Sequence, residues 1–460
     1  MVTGRIIRWI FALLALAPGA AASAPRGSIA ESEALLDGRS WQLGALAPPG
    51  RLRCVFFDVD GGLEHCILAT PELGRTVKLG RYLEAGGLRL ADDGLVLRGG
   101  LDGGLGYDSN QLLDNVEEGE RGSGVLRALG HGTVTIAGRA PFGARLRLVA
   151  GYREHFAGEA PTGGLGGLDL DGDLLVRAVA GPVLRLELGQ TFARSAAMPL
   201  TGARHRTALF EHTTATRARL LLGDLALHLE YQLMLRRAEE RAAAYQDRIA
   251  NRGAISLRWH RPLWLLRALS LNLSQQWLRD GEELAEHESR PFRGTLGLLA
   301  RTAWFYAALE LGYGASFVAG GDDYRGAIAS TEVGGLLPGR VRAWLGFHHD
   351  FDESVLLDYL VQDAVFGGAD FVVADGLLVV HQGFATRWRR PRGRRPPWLV
   401  GRDLNHFLTT LGFGAQLWLL PWLSLGLDYD LQLRMAPFER GAGSWSYVDH
   451  RVMVSLGVGT

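Results

Sequence analysis

The sequence predicts an all-β chain: a transmembrane antiparallel up-and-down β-barrel of about eighteen strands, preceded by a small N-terminal periplasmic segment. Apolar residues occupy every second position between Leu225 and Leu235, and the same period of two returns at 184–188 and 423–433. Tight and long connections also alternate along the chain, and aromatic residues lie near the strand ends. A membrane barrel requires such alternation because neighbouring residues of each strand face lipid and lumen in turn.

The start of the chain has the pattern of an export signal. Arg5 and Arg8 precede the apolar run 10–16, and small residues follow up to Ala24. This order predicts a secretory signal peptide over residues 1–24, so the mature chain leaves the cytoplasm. No later stretch approaches the roughly 18 unbroken apolar residues that a membrane helix needs, so any crossing is expected to use strands.

Residues 25–93 do not alternate cleanly and are interpreted as the small periplasmic segment. Cys54 and Cys66 are the two cysteines of the chain, and in an exported protein such a close pair predicts a disulfide. Zinc binding is disfavoured because only His65 lies nearby as a further ligand. The β-prone runs 52–59 and 65–68, on either side of Asp60-Gly61-Gly62, predict a hairpin.

The region 94–460 carries the regular alternation and is predicted to form the barrel. The expected strands are 94–108, 123–139, 143–155, 168–180, 182–194, 206–222, 224–237, 249–260, 267–280, 290–302, 303–318, 324–336, 340–352, 356–367, 376–388, 404–419, 422–435 and 446–460. The turn at 300–304 has no turn residues to mark it, and the alternation breaks near 367–375.

The connections give an independent indication of the same fold. Every second connection is tight or apolar, as at Gly223-Asp224 and Pro338-Gly339, and the intervening ones are mostly longer and polar, as at 109–122 and 389–403. Outer-membrane barrels have short periplasmic turns and longer outer loops, so both ends of the barrel are expected on the periplasmic side. The aromatic residues expected to form interfacial girdles are Tyr107, Tyr152, Phe192, Tyr231, Trp259, Trp277, Phe317, Phe347, Trp388, Trp418 and Trp422.

The polar residues of the alternating strands are expected to line the lumen. The predicted lumen-lining residues are Arg98, Arg145, Arg147, Arg185, Glu187, Arg217, Arg219, His228, Glu230, Arg258, Arg342, Asp428, Asp430 and Arg434. Arginines in a lumen favour anionic solutes, and carboxylates offer hydrogen-bond partners to sugars. The alternative is that these residues pair with one another as a solvated wall.

Other classes of function receive little support from the sequence. No spacing of His, Ser and acidic residues assembles a catalytic group, so we expect no enzyme, no metal site and no cofactor. The formal net charge of zero does not point to nucleic acid. The segment 387–397 holds six arginines and three prolines, and is expected in an outer loop. There it would bind phosphates of lipopolysaccharide or an acidic polymer, or simply be solvated.

The first predicted strand ends in Gly104-Leu105-Gly106-Tyr107-Asp108-Ser109-Asn110. This run resembles the Gly-x-Gly-Tyr-Asp-Ser-Asn opening of a group of bacterial outer-membrane β-barrel proteins, several of them associated with export of exopolysaccharides or surface lipoproteins. From residue 94 onward, the strand number resembles porins and the eighteen-stranded barrels that export alginate-like polymers. The chain lacks the periplasmic helical-repeat scaffold of several such exporters.

The resemblance implies an outer-membrane channel for export of a secreted polysaccharide. The alternative is a diffusion porin for small, possibly anionic solutes, and a plugged structural barrel is a third class. Expected partners are outer-membrane lipid and lipopolysaccharide, the barrel-assembly machinery and a periplasmic polysaccharide-export component. The expected location is the Gram-negative outer membrane.

Overall fold

Antiparallel pairing joins eighteen consecutive strands into one closed ring in the computed structural model of the chain. The structure describes residues 52–57, 63–70, 75–78, 88–90, 95–109, 122–136, 142–156, 167–180, 183–199, 206–238, 247–259, 265–280, 288–302, 305–337, 341–352, 358–373, 378–393, 405–420, 423–435 and 446–459. Its strands are β1 Leu52–Phe57, β2 Leu63–Thr70, β3 Arg75–Lys78, β4 Leu88–Leu90, β5 Leu95–Asp108, β6 Ser123–Ile136, β7 Phe142–Phe156, β8 Gly167–Ala180, β9 Leu184–Pro199, β10 Arg206–Leu222, β11 Leu225–Ala238, β12 Arg248–Trp259, β13 Leu266–Asp280, β14 Glu288–Arg301, β15 Phe305–Val318, β16 Tyr324–Leu337, β17 Val341–Asp352, β18 Tyr359–Val373, β19 Leu378–Arg392, β20 His406–Leu420, β21 Leu423–Met435 and β22 Tyr447–Gly459.

Strands β5 to β22 form the ring, close to the predicted number of about eighteen, and the short strand β4, which the sequence did not predict, pairs with the start of β5. Each pairs with the next along the chain, and β22 returns to pair with β5. The largest departure from the sequence prediction is β18, which continues to Val373 through the expected break. Gly367 and Gly368 interrupt the side-chain pattern there, but their backbone still pairs with β19 at Phe384 and Gly383.

The seam between the first and last barrel strands involves the motif at the end of β5. The Ser109 backbone N–H donates to the His450 carbonyl oxygen at 2.8 Å, and the His450 N–H donates to Ser109 Oγ at 2.8 Å. Just inside this clamp, Asp108 is the register partner of Arg451. The Tyr107-Asp108-Ser109 run therefore contributes to closing the ring.

One face of the strands presents apolar side chains to the surroundings. Leu229, Ile255, Leu296, Leu311 and Val333 are all exposed, and Leu296 is 67% accessible. They alternate with polar or less exposed neighbours, as the period of two predicts. In a closed ring every strand pairs with two neighbours, so the backbone hydrogen bonds are formed within the protein, and the apolar outer side chains can pack against lipid. The chain is therefore an outer-membrane β-barrel.

The short connections lie at one end of the ring and the longer ones at the other. Between β10 and β11, Gly223 takes φ +64°, a left-handed conformation that suits a two-residue hairpin turn. The unmarked turn between β14 and β15 is also present, where the Thr302 N–H donates to the Phe305 carbonyl oxygen at 2.7 Å. By the usual barrel asymmetry, the short-turn end is periplasmic and the long-loop end is outermost.

Strands β1, β2 and β3 form a separate three-stranded sheet, so the hairpin predicted around Asp60-Gly61-Gly62 is present. Cys54 and Cys66 are register partners across β1 and β2. Their side chains, and the predicted signal peptide over 1–24, lie outside the described part of the chain. The disulfide, the signal peptide and the boundary at residue 93 remain predictions. No helix among the described residues is long and apolar enough to span a bilayer.

Candidate functional site: the inner face of the barrel

The inner face of the barrel is formed by the residues that alternate with the lipid-facing residues along each strand. On β11 these are Ala226, His228, Glu230, Gln232, Met234 and Arg236, which are buried or partly buried, whereas Leu225, Leu229, Tyr231 and Leu235 on the other face are exposed. The register places Ala226 opposite Arg258, and Gln232 opposite Arg252, on β12. Sequence alternation and strand pairing therefore bring the same polar set to one face.

Six arginines lie on the inner face of three adjacent strands, which we call the arginine wall. Its members are Arg217 and Arg219 on β10, Arg236 on β11, and Arg248, Arg252 and Arg258 on β12. Two glutamates accompany them: Arg217 Nε donates to Glu230 Oε2 at 2.8 Å, and Arg236 Nη2 donates to Glu211 Oε2 at 3.1 Å. Because arginines outnumber glutamates on these strands, the wall carries a positive excess.

Arg217 is open to solvent although it belongs to the inner face. Its side chain is 50% accessible, whereas that of its partner Glu230 is 15% accessible. The neighbouring inner position across β9 and β10 is Glu187, the register partner of Arg217. Water therefore reaches the inner face at the middle of the arginine wall.

Aspartates occupy the inner face on the far side of the ring. In a ring of eighteen strands, β12 and β21 are nine strands apart and so diametrically opposed. Asp428 and Asp430 lie in the middle of β21, and Asp449 lies on β22. We call these three residues the aspartate wall. Asp449 is buried and forms an ion pair with Arg451, whose Nη2 lies 2.6 Å from Asp449 Oδ2, whereas Asp428 and Asp430 are partly exposed.

A hydrogen-bond network fixes the inner wall between β12 and β15. Ser256 Oγ donates to Asn272 Oδ1 at 2.5 Å, and Asn272 Nδ2 donates to Glu310 Oε1 at 3.2 Å. Arg258 Nε reaches Ser256 Oγ at 3.2 Å, and Thr295 Oγ1 donates to Glu310. Arg258 is fully buried, so this member of the arginine wall supports the wall and is not in contact with solvent.

A second inner-face contact joins strands that are not neighbours. Arg293 on β14 contacts Asp350 on β17, with Nε to Oδ2 at 3.1 Å, and its Nη2 donates to the Phe351 carbonyl oxygen at 2.6 Å. Its guanidinium also lies 4.3 Å from the centre of the Phe351 ring. The sequence analysis missed Arg293 and Asp350. The alternation of inward- and outward-facing positions along β14 and β17 could have identified both as inward-facing residues, but it could not have shown that they form a pair.

The predicted lumen residues divide by what the structure describes. Glu187, Arg217, Arg219, His228, Glu230, Arg258, Asp428, Asp430 and Arg434 have described side chains on the inner face. Arg98, Arg145, Arg147, Arg185 and Arg342 occupy strand positions, but their side chains lie outside the described part. That these residues line a solute pathway remains a prediction.

The basic segment at 387–397 was expected in an outer loop, and for its first half this was wrong. β19 extends to Arg392 because β18 pairs with it as far as Tyr359. Arg389 lies on the inner face and donates to Gln362 Oε1 at 3.0 Å, whereas Arg390 lies on the outer face and contacts Asp363. Arg394 and Arg395 fall outside the described residues.

Comparisons with known proteins give structural neighbours only. No protein-family model matches the sequence, and no curated protein is significantly similar to it. Among solved structures, Pseudomonas aeruginosa OccK1 (OpdK) is 11% identical, covers 82% of this chain and 100% of its own, and gives a TM-score of 0.46. Pseudomonas aeruginosa OccK2 (OpdF), in complex with glucuronate, is 12% identical over 81% of this chain and 100% of its own, with a TM-score of 0.45. The alcaligin outer membrane receptor FauA of Bordetella pertussis is 11% identical over 82% and 76%, with a TM-score of 0.39.

Proposed function

We propose that the barrel is a diffusion porin for small, anionic solutes. The observation that carries this proposal is the solvent-accessible side chain of Arg217 on the inner face, 50% exposed within the arginine wall. A guanidinium that faces water inside a membrane barrel attracts anions and forms paired hydrogen bonds with carboxylate or phosphate. Passive diffusion of this kind requires neither a catalytic group nor a cofactor.

The opposed walls support a preference for anions that pass near β10 to β12. The arginine wall has six arginines against two glutamates, and the inner face of β21 and β22 has three aspartates against Arg434 and Arg451. Net charges of opposite sign on opposed walls create a field across the lumen. An anion is attracted to Arg217 and repelled from Asp428 and Asp430. A solute with a carboxylate and several hydroxyl groups can place the carboxylate on arginine and its hydroxyls against the opposite carboxylates.

Export of a secreted polysaccharide is the function that the motif at the end of β5 favoured. In the structure, Ser109 of that motif clamps the first barrel strand to the last through His450. A role in closing the ring therefore explains the motif, and no contact with a polysaccharide is needed to explain it. The described inner face adds no feature specific to a polysaccharide, so the porin is the better-supported function.

The test is conductance of the purified, refolded full chain in a planar bilayer under a salt gradient. We expect steady channels whose reversal potential indicates anion preference, and a reduced current when glucuronate is added at millimolar concentration. A neutral sugar of similar size serves as the control and leaves the current unchanged. Cation preference, or the absence of any conductance, would overturn the proposal. Block by long oligosaccharides but not by glucuronate would favour export.

A further inference from the structure

The outer face of the barrel carries a contiguous basic surface near its long-loop end. Arg279 is the penultimate residue of β13, Arg290 the third of β14 and Arg325 the second of β16. All three are exposed, and their strand positions alternate in step with the exposed lipid-facing residues Leu271, Leu296 and Val333. We call Arg279, Arg290 and Arg325, with Glu288 and Asp323, the outer arginine patch.

Direct neighbours link the members of the patch. Arg279 is the register partner of Glu288, and Glu288 Oε1 accepts from Arg290 Nη2 at 2.8 Å. Arg290 is in turn the register partner of Phe317, and the Arg325 guanidinium lies 5.6 Å from the centre of the Phe317 ring. Three arginines and two carboxylates leave the patch with a net positive charge.

The arginines of the patch remain accessible despite these ion pairs. The side chains of Arg290 and Arg325 are 62% and 63% exposed, and the Arg325 Nη2 to Asp323 Oδ2 distance is 3.7 Å. Exposed pairs of this kind are weak, so an anion with more oxygens can compete with the carboxylates. Phosphate suits the guanidinium fork because it accepts two parallel hydrogen bonds.

The surroundings of the patch identify the source of the phosphate. Leu311, Tyr313 and Phe317 are exposed on the lipid-facing side of β15, and Leu296 is beside Leu311 on β14. Acyl chains that pack on Leu296 and Leu311 would place their headgroup at the level of Arg290 and Arg325. This end of the barrel also carries the long loops, which face the outer leaflet.

We propose that the outer arginine patch binds the phosphate groups of an outer-leaflet phosphoglycolipid, the lipid A part of lipopolysaccharide. The patch acts independently of the lumen, so the proposal holds whether or not the barrel is a porin. Binding would fix one sector of the barrel, β13 to β16, against the outer leaflet. The acidic members oppose binding, since Glu288 competes with phosphate for Arg290.

The test titrates bis-phosphorylated lipid A into the refolded full chain in detergent and follows the lipid-bound fraction by native mass spectrometry. The variant Arg290→Gln/Arg325→Gln is expected to bind about tenfold more weakly, the loss of two charge-assisted contacts. The matched control is Arg194→Gln/Arg237→Gln, which removes two outer-face arginines from β9 and β11, outside the patch and outside the 387–397 segment. Its affinity is expected to stay within about twofold of the wild type.

A third variant tests the sign of the effect. Glu288→Gln removes the competing carboxylate and should tighten binding roughly two- to threefold. Equal weakening in the two double variants would show attraction by net charge alone and overturn the proposal. Unchanged binding in Arg290→Gln/Arg325→Gln would overturn it too, as would equal affinity for dephosphorylated lipid A. Heat-modifiable migration in SDS gels checks that each variant has folded.

Discussion

Ser109 and His450 are joined by two hydrogen bonds of 2.8 Å, one between backbones and one from the His450 N–H to the Ser109 hydroxyl, although they are 341 residues apart in the chain. They lie where the first barrel strand meets the last, so their contact forms only when the ring closes. Ser109 is also largely buried. A short motif that is recognisable in the sequence thus has its structural explanation at the seam of the barrel.

Replacing Ser109 with Ala removes the hydroxyl that accepts from the His450 N–H and keeps the backbone bond. We expect a loss of about 1 kcal/mol in the free energy of unfolding, because one buried hydrogen bond is lost. Urea unfolding followed by tryptophan fluorescence measures this loss. Ser109→Thr, which keeps the hydroxyl, is the control. Equal stability of the Ala and wild-type proteins would show that the seam does not depend on this side chain.

Arg293→Met should be among the more destabilising changes on the inner face. It leaves the Asp350 carboxylate, whose side chain is only 6% exposed, without the guanidinium that bridges β14 and β17. Breaking a buried ion pair from one side costs about 3 kcal/mol. The same unfolding experiment applies, with Arg290→Met as the control on the same strand, where the pair is exposed. A smaller effect for Arg293 than for Arg290 would contradict the assignment.

Arg217→Glu is expected to shift the channel toward cations. It reverses the sign of the most accessible described charge of the arginine wall, next to Glu230. A charge interaction of about 1 kcal/mol at 4 Å in water corresponds to a roughly fivefold change in the permeability ratio. Reversal potentials in a salt gradient report this ratio. Arg237→Glu on the outer face is the control, and an identical shift in that variant would argue against a role inside the lumen.

The double change Asp428→Asn/Asp430→Asn should act in the opposite direction. Removing two carboxylates from the aspartate wall lowers the repulsion that anions meet there, so anion preference should rise. Asp430 is the register partner of Arg451, which retains its 2.6 Å contact with Asp449. The barrel is therefore expected to stay folded. A fall in anion preference, measured in the same bilayers, would contradict the opposed-wall arrangement.

The backbone around Gly312 leaves no room for a Cβ atom. A Cβ atom there would lie 2.0 Å from the Gly294 carbonyl oxygen and 2.7 Å from Thr295 Cα, both backbone atoms. Gly312→Ala should therefore destabilise the barrel by about 1–3 kcal/mol. Gly253→Ala is the control, since a Cβ atom at that position meets nothing within 4 Å. Unfolding midpoints compare the two, and similar midpoints would refute the packing argument.

Strand bounds were largely predictable because the period of two is local. Each expected strand of the barrel overlaps an observed one, including β14 and β15 on either side of an unmarked turn. Two misplacements concern β18 and β19. In β18, Gly367 and Gly368 have no side chains, so the sequence shows no alternation there. In β19, the arginines and the proline after residue 388 are typical of a loop, so the end of the strand was not predicted.

The candidate site was predictable only in part. The two-residue alternation alone assigns Arg217, Glu230 and Asp428 to the polar side of their strands. It cannot show that Arg258 is fully buried whereas Arg217 is half exposed, because burial depends on which side chains cover each guanidinium in the folded barrel. Nor can it pair Arg293 with Asp350, which are 57 residues apart.

The sequence by itself determined that the chain alternates, about how many strands the barrel has, and which residues share a face, since these follow from strand geometry one residue at a time. The tertiary structure decided which strands meet at the seam, which charges oppose one another across the ring, and which inner residues contact water. Those properties depend on closure, because only a closed ring fixes the distance between β12 and β21 or brings Ser109 to His450.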